Sequence, residues 1–145
     1  MLAVKRWPTM SYKEKRGVTW EEHQRLVNFE KNPERKAFLE LLWHVGASLI
    51  DCAPLIAENV DWRRKTISYR LRKNGRPAVL RFGEEVAAIL RRLPDGGPLI
   101  PKWSQLTSAE RASRFHDRCK SLRISGISLH SYRYAWAERL FATTP

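Results

Sequence analysis

The stretch whose reading decides the fold is ISYRLRKNGRPAVLRFG, residues 67–83. Asn74-Gly75 is its strongest turn signal. A two-residue hairpin turn needs positive φ at both central positions, and Asn and Gly tolerate that best. A turn there pairs Leu71 with Ala78, Tyr69 with Leu80 and Ile67 with Phe82, all apolar and on one face. Ser68, Arg70, Arg72 and Arg81 fall on the opposite face. Side chains alternate along a strand, so a register that sorts this cleanly predicts a half-buried antiparallel hairpin.

Helices flank it on both sides. Upstream, Thr19 with Glu22 three residues on predicts a capping box that opens GVTWEEHQRLVNFEKN. Asn32-Pro33 opens the next helix, since proline's missing N–H costs nothing at the first helical position. Phe38, Leu41, Leu42, Val45 and Leu49 form one stripe, widened by Leu39 and Trp43, so this helix is expected to be central. Gly46 ends or bends it, and a short helical piece, SLIDCAPLI, follows. Downstream, GEEVAAILRRLP reads as a short amphipathic helix and DGGPLIPKW as a loop. Thr107 and Glu110 form a second capping box, and Ser125-Gly126 breaks the helix it opens. A last helix starts near Ser128 or Leu129, with Leu129, Tyr132, Trp136 and Leu140 on its apolar stripe. The fold class is therefore α+β, mainly α, with a small antiparallel hairpin or sheet. Residues 1–17 read as a basic arm and 18–145 as one domain.

The chain carries 27 Lys and Arg against 15 Asp and Glu, a net charge of +12. That balance favours a polyanionic partner, with double-stranded DNA first. No apolar run is long enough for a signal peptide or a membrane span. Cys52 and Cys119 are far apart and read as reduced, buried thiols, and no metal-ligand spacing is present. A cytoplasmic, nucleoid-associated protein without metal or small-molecule cofactor is expected. His23, His44 and His116 read as surface residues, His44 pairing with Glu40 one turn back. Most of the six Trp read as core, with Trp103 partly exposed.

Candidate contacts cluster in the hairpin. Between Asp61 and Glu84 there is no acidic residue, while Arg63, Arg64, Lys65, Arg70, Arg72, Lys73, Arg76 and Arg81 are all basic. Arg63, Arg64, Arg70, Arg72, Lys73 and Arg76 are the residues expected to contact the DNA backbone. A second candidate is LHSYRYAWAERLFATTP, residues 129–145, where His130 and Arg133 stand three apart and face the same way on a helix. With 18 Arg in the chain, one such HxxR is weak by itself. Arg133 at the edge of the buried stripe needs an anion or an acceptor nearby, and backbone carbonyls would serve as well as phosphate.

The order of VTWEEHQRLV, LLWHVGASLIDCAPLIAENVDW, ISYRLRKNGRPAVLRFG and SLHSYRYAWAERL resembles the catalytic domain of the tyrosine recombinases, the phage-integrase family, from about Lys15 to Phe141. The resemblance implies a DNA breaking-and-rejoining chemistry. A tyrosine attacks the scissile phosphate and forms a 3′-phosphotyrosyl link, without metal or ATP. By position, Lys73 is the hairpin lysine that protonates the leaving oxygen, and His130 and Arg133 stabilise charge on the phosphorane. The sequence departs from the family pattern in three places. The family's other arginine falls at Ser48, whose hydroxyl cannot clamp phosphate bidentately. The segment carrying the nucleophile is not reached before Pro145, and none of Tyr12, Tyr69, Tyr132 and Tyr134 replaces it. There is no room for the family's N-terminal DNA-clamping domain. The expectation is an integrase-like DNA-binding domain, incompetent for cleavage alone, with Trp136, Leu140 and Phe141 left as apolar surface. The alternative is a non-catalytic DNA-binding or protein-interaction module that competes with, or assembles with, a full-length recombinase, with other recombinase subunits as further partners.

Overall fold

Local capping chemistry sets the helix starts. The structure, a computed structural model, describes residues 16–46 and 52–143. The first helix, α1 (Trp20–Phe29), opens where Thr19 Oγ1 accepts from the Glu22 N–H at 3.1 Å and the Glu22 carboxylate accepts from the Thr19 N–H at 3.0 Å. The second, α2 (Pro33–Val45), opens on Asn32, whose Oδ1 accepts from the N–H groups of Glu34 and Arg35. The 14-residue helix α5 (Ser108–Ser121) starts on the Thr107–Glu110 capping box.

As expected from its stripe, α2 is the central element. Phe38, Leu39, Leu41, Leu42, Trp43 and Val45 are buried, and the helix packs on α1, on α3 (Glu84–Arg91), on α4 (Pro101–Ser104) and on α6 (Ser131–Thr143). Truncating one of these side chains to Ala would cost about 2–5 kcal/mol. Residues 48–51 of the SLIDCAPLI segment, Leu49 among them, lie outside the described residues. Beyond them a 3₁₀ turn, Ala57–Asn59, leads into the sheet. Cys52 and Cys119 are both buried. Among the described residues, no helix is long and apolar enough to cross a membrane.

The sheet has three antiparallel strands in the order β1 (Val60–Asp61), β2 (Thr66–Arg70), β3 (Pro77–Arg81). The hairpin is present, but its register corrects the expectation. Ile67 pairs with Leu80 and Tyr69 with Ala78. The reason is the turn. The Leu71 N–H donates to Arg76 O at 2.9 Å and the Gly75 N–H to Leu71 O at 2.7 Å, so Arg72 to Gly75 form a four-residue loop. Only Gly75 takes positive φ, at 71°, whereas Asn74 turns its Oδ1 to accept from the Arg76 N–H. The slip is two residues. Strand periodicity is also two, so Ile67, Tyr69, Ala78 and Leu80 still face inward and Ser68, Arg70, Val79 and Arg81 outward.

Other local expectations are corrected by long-range packing. The DGGPLIPKW loop contains α4 and a bridge from Pro98 to Ile56. The last helix begins at Ser131, later than expected. Trp103 is buried, while Trp20 and Trp62 are exposed. His44 meets Glu85 at 3.7 Å, and Glu40 instead pairs with Arg92 at 3.2 Å. His23 is not a surface residue: it is 4% exposed, at the junction of α1, α2 and α6.

Candidate nucleic-acid interface

The hairpin loop is built to hold its basic side chains outward. Besides the two backbone bonds that close it, Arg70 Nη1 donates to Gly75 O at 2.9 Å, stiffening the tip from its own side chain. Lys73 rides on that tip, and Arg63, Arg64, Arg70, Arg72, Lys73, Arg76 and Arg81 are all exposed. Two of the run's cations meet carboxylates. Arg64 stands 4.0 Å from Asp61, and Lys65 lies 2.9 Å from Glu84, which also pairs with Arg91. Lys65 and then Arg91 hold the Glu84 carboxyl below its usual range. Arg63, Arg70, Lys73, Arg76 and Arg81 have no carboxylate within ion-pair distance among the described residues. Five exposed cations with no anion beside them, on a surface about one strand pair wide, fit the spacing of a polyanion better than any point ligand.

The hairpin also touches α5 electrostatically. Arg111, in the second turn of α5, is 6% exposed and donates to the carbonyls of Trp103 and Leu106. Burial, and then the neighbouring Arg72, lower its pKa from the ordinary value. Arg111 thus ties the α4–α5 connection in place beside the hairpin loop. Its place on the stripe with Phe115 and Cys119 was the signal in the sequence.

The HxxR pair is assembled by a different part of the molecule. His130 precedes α6 and is exposed, and its carbonyl accepts the N–H groups of Arg133 and Tyr134 at 3.0 and 3.3 Å. Arg133 is exposed too, rather than half-buried, and its Nη1 donates to Gly46 O at 3.4 Å. A backbone carbonyl is therefore one acceptor it has found. Gly46 ends α2 in the left-handed region, φ 61°, and a Cβ there would stand 2.2 Å from Cγ of Trp136. The close approach of α2 to α6 at this glycine brings Arg133 to the point where the chain leaves α2. Ser48 lies just beyond, outside the described residues. Among the described residues no hydrogen bond or ion pair joins Lys73 to His130 or Arg133.

The rest of α6 is pinned down by contacts that sequence patterning missed. The Tyr132 hydroxyl lies 2.8 Å from Nδ1 of His23. Arg139 stacks its guanidinium 3.8 Å from the Trp43 ring centroid and donates to Trp43 O. Burial, aided by the charges of His44 and Arg139, lowers the His23 pKa to about 4, so the ring is neutral at pH 7. Burial pushes the Tyr132 phenol far above its ordinary value.

No protein-family model matches the sequence, and no curated protein is significantly similar to it. Solved structures do match. An integrase from mycobacterium phage Brujita superposes with a TM-score of 0.72 at 20% identity, over 87% of this chain and 44% of that one. XerA recombinase gives 0.72 at 16% identity, over 91% of this chain and 53% of its own. The Tn1549 transposon integrase in complex with transposon right-end DNA gives 0.69 at 12% identity, over 90% and 55%. The fold is that of the tyrosine-recombinase catalytic domain, as the order of sequence motifs implied. The chain spans about half the length of these integrases and recombinases.

Proposed function

We propose that this chain is a DNA-binding, integrase-like domain of a site-specific recombination system. The observation that carries the proposal is the hairpin: Arg63, Arg70, Lys73, Arg76 and Arg81, exposed and without carboxylate partners among the described residues. The fold it shares with a transposon integrase that is bound to DNA supports the same partner. Arg63, Arg64, Arg70, Arg72 and Arg76 take backbone phosphates, with no metal or small-molecule cofactor in the binding step. Phosphate contacts release counterions, so affinity for a mixed-sequence duplex should fall linearly on a log–log plot against salt, by about 0.9 per contact. Binding that is weak and insensitive to salt would defeat the proposal.

In the family's chemistry Lys73 would protonate the leaving 5′ oxygen, while His130 and Arg133 hold the phosphate through the phosphorane. None of the chain's described tyrosines suits attack. Tyr132 is fully buried against His23, Tyr69 is half-buried on the inner face of the sheet, and Tyr134 is half-buried on α6. The nucleophile would come from outside these 145 residues. Ser48 in place of the second phosphate-clamping arginine weakens any such site by about 3 kcal/mol. A suicide DNA substrate is expected to form no covalent adduct with this chain alone, and a phosphotyrosyl adduct would overturn that.

A second reading, a module that acts by associating with a recombinase without cutting, is favoured by exposed Trp20 on α1 and Leu140 on α6, 55% and 52% accessible. Light scattering tests it: a monomer that stays monomeric with a recombinase present would count against it.

A further inference from the structure

Tyr132 stands between His130 and Arg133 in sequence, but it points into the core while they are exposed. It is fully buried, and its hydroxyl bonds to a second buried polar group, His23, at 2.8 Å. His23 lies flat on Trp43, with centroids 4.7 Å and planes 12° apart, and Tyr132 meets both rings edge-on. The charged and titratable groups felt by the pair are Arg139 of α6, His44 of α2, Glu22 of α1 and Cys119 of α5. A phenylalanine would fill the same space. Burying a hydroxyl and an imidazole is costly unless they are bonded, and the net gain over two apolar groups is small. What the bond supplies and apolar contact does not is direction, since donor and acceptor must align.

We infer that the Tyr132–His23 bond is a positioning device for Arg133. Successive residues on an α-helix point about 100° apart. Fixing where the Tyr132 hydroxyl points therefore fixes the rotation of the first turn of α6, and with it the bearing of Arg133. Gly46 O, 3.4 Å from Arg133 Nη1, marks that bearing. Ser131, also fully buried, accepts from the Ser128 N–H at 2.9 Å and its carbonyl accepts from the Val18 N–H, which ties the same turn to the segment before α1. Tyr132 and His23 thus act on a bound phosphate only through Arg133. The inference rests on the assignment of Arg133 to a DNA phosphate made above.

The test is the slope of log affinity against log salt for a mixed-sequence duplex, measured beside thermal melting for each variant. The slope counts phosphate contacts, which a purely structural bond would leave unchanged. Arg133→Gln is expected to make the slope shallower by about 0.9. Tyr132→Phe should do the same while still melting cooperatively, and the double variant should lose no more than either single one. His23→Asn, whose amide reaches the place of Nδ1, should keep the wild-type slope, and His23→Leu should lose it. If Tyr132→Phe does not fold, the His23 pair of variants decides the matter. A wild-type slope in Tyr132→Phe or His23→Leu overturns the positioning role. An unchanged slope in Arg133→Gln overturns the phosphate assignment as well, and no DNA binding by the wild type would mean that the proposed function itself has failed.

Discussion

Among the described residues four glycines hold positive φ, and two of them, Gly75 and Gly46, have surroundings that differ completely. Gly75, φ 71°, ends the hairpin loop with no atom within 4 Å of where a Cβ would stand. Gly46, φ 61°, ends α2 with the Trp136 ring already occupying that place. The first belongs to a surface device whose parts are adjacent in sequence and exposed. The second belongs to a junction whose parts come from distant segments and are mostly buried. The hairpin can change its side chains at little cost to the fold, whereas the junction carrying His130 and Arg133 cannot.

Substitutions that separate the two regions should give effects in a definite order. Gly46→Ala combines backbone strain with a clash against Trp136 and is expected to cost about 3 kcal/mol, read from urea unfolding. A cost under about 1 kcal/mol would erase the contrast with the hairpin.

The next effect is pH. His23 is held at a pKa of about 4 when folded against 6.5 as the ordinary value. The unfolded chain therefore binds the extra proton first. The stability contributed by the neutral, buried ring is fully present above pH 6.5 and is lost as pH falls toward 4, by at most about 1.4 kcal/mol per pH unit. Denaturation midpoints across that range should show this slope, and His23→Asn should flatten it. An unchanged slope in the variant would show that other groups carry it.

Gly75→Ala meets only the strain of positive φ in open space and should cost about 1 kcal/mol. The smallest effect on stability should come from Lys73→Gln with Arg76→Gln, within about 0.5 kcal/mol because both side chains are exposed. The same pair of changes should lower the salt slope of DNA binding by about 1.8. A large loss of stability there, or an intact slope, would remove the distinction between a dispensable scaffold role and a binding role for the hairpin.

What could be read from the sequence follows the same division. The capping boxes at Thr19 and Thr107 and the Asn32-Pro33 start depend on residues three apart, and all three are present as expected. The hairpin's two faces were legible because alternation is local. Its register was not, because Asn74-Gly75 fits both a two-residue turn and the tail of a four-residue loop, and only the backbone bonds of Leu71 and Gly75 decide between them. His23 looked like a surface residue because its partner is Tyr132, 109 positions away. The exposure of Trp20 and Trp62, the burial of Trp103 and the carbonyl partner of Arg133 likewise depend on segments that no local window contains. Of the candidate site, Arg70 and Arg81 are on the outer strand face where alternation puts them, and Arg72 and Lys73 are carried by the loop. His130 and Arg133 are both exposed, just before and within the first turn of α6, but among the described residues no contact links them to Lys73.

The long reach of the His23–Tyr132 bond also bears on the lifetime of the fold. Closing so large a loop is entropically expensive, so such a contact is expected to form after the local helices and the hairpin, on the native side of the folding barrier. An interaction absent from the transition state does little for the rate of folding and slows unfolding instead. The bond between α1 and α6 would then act as a latch: a chain lacking it would fold at much the same speed and come apart sooner.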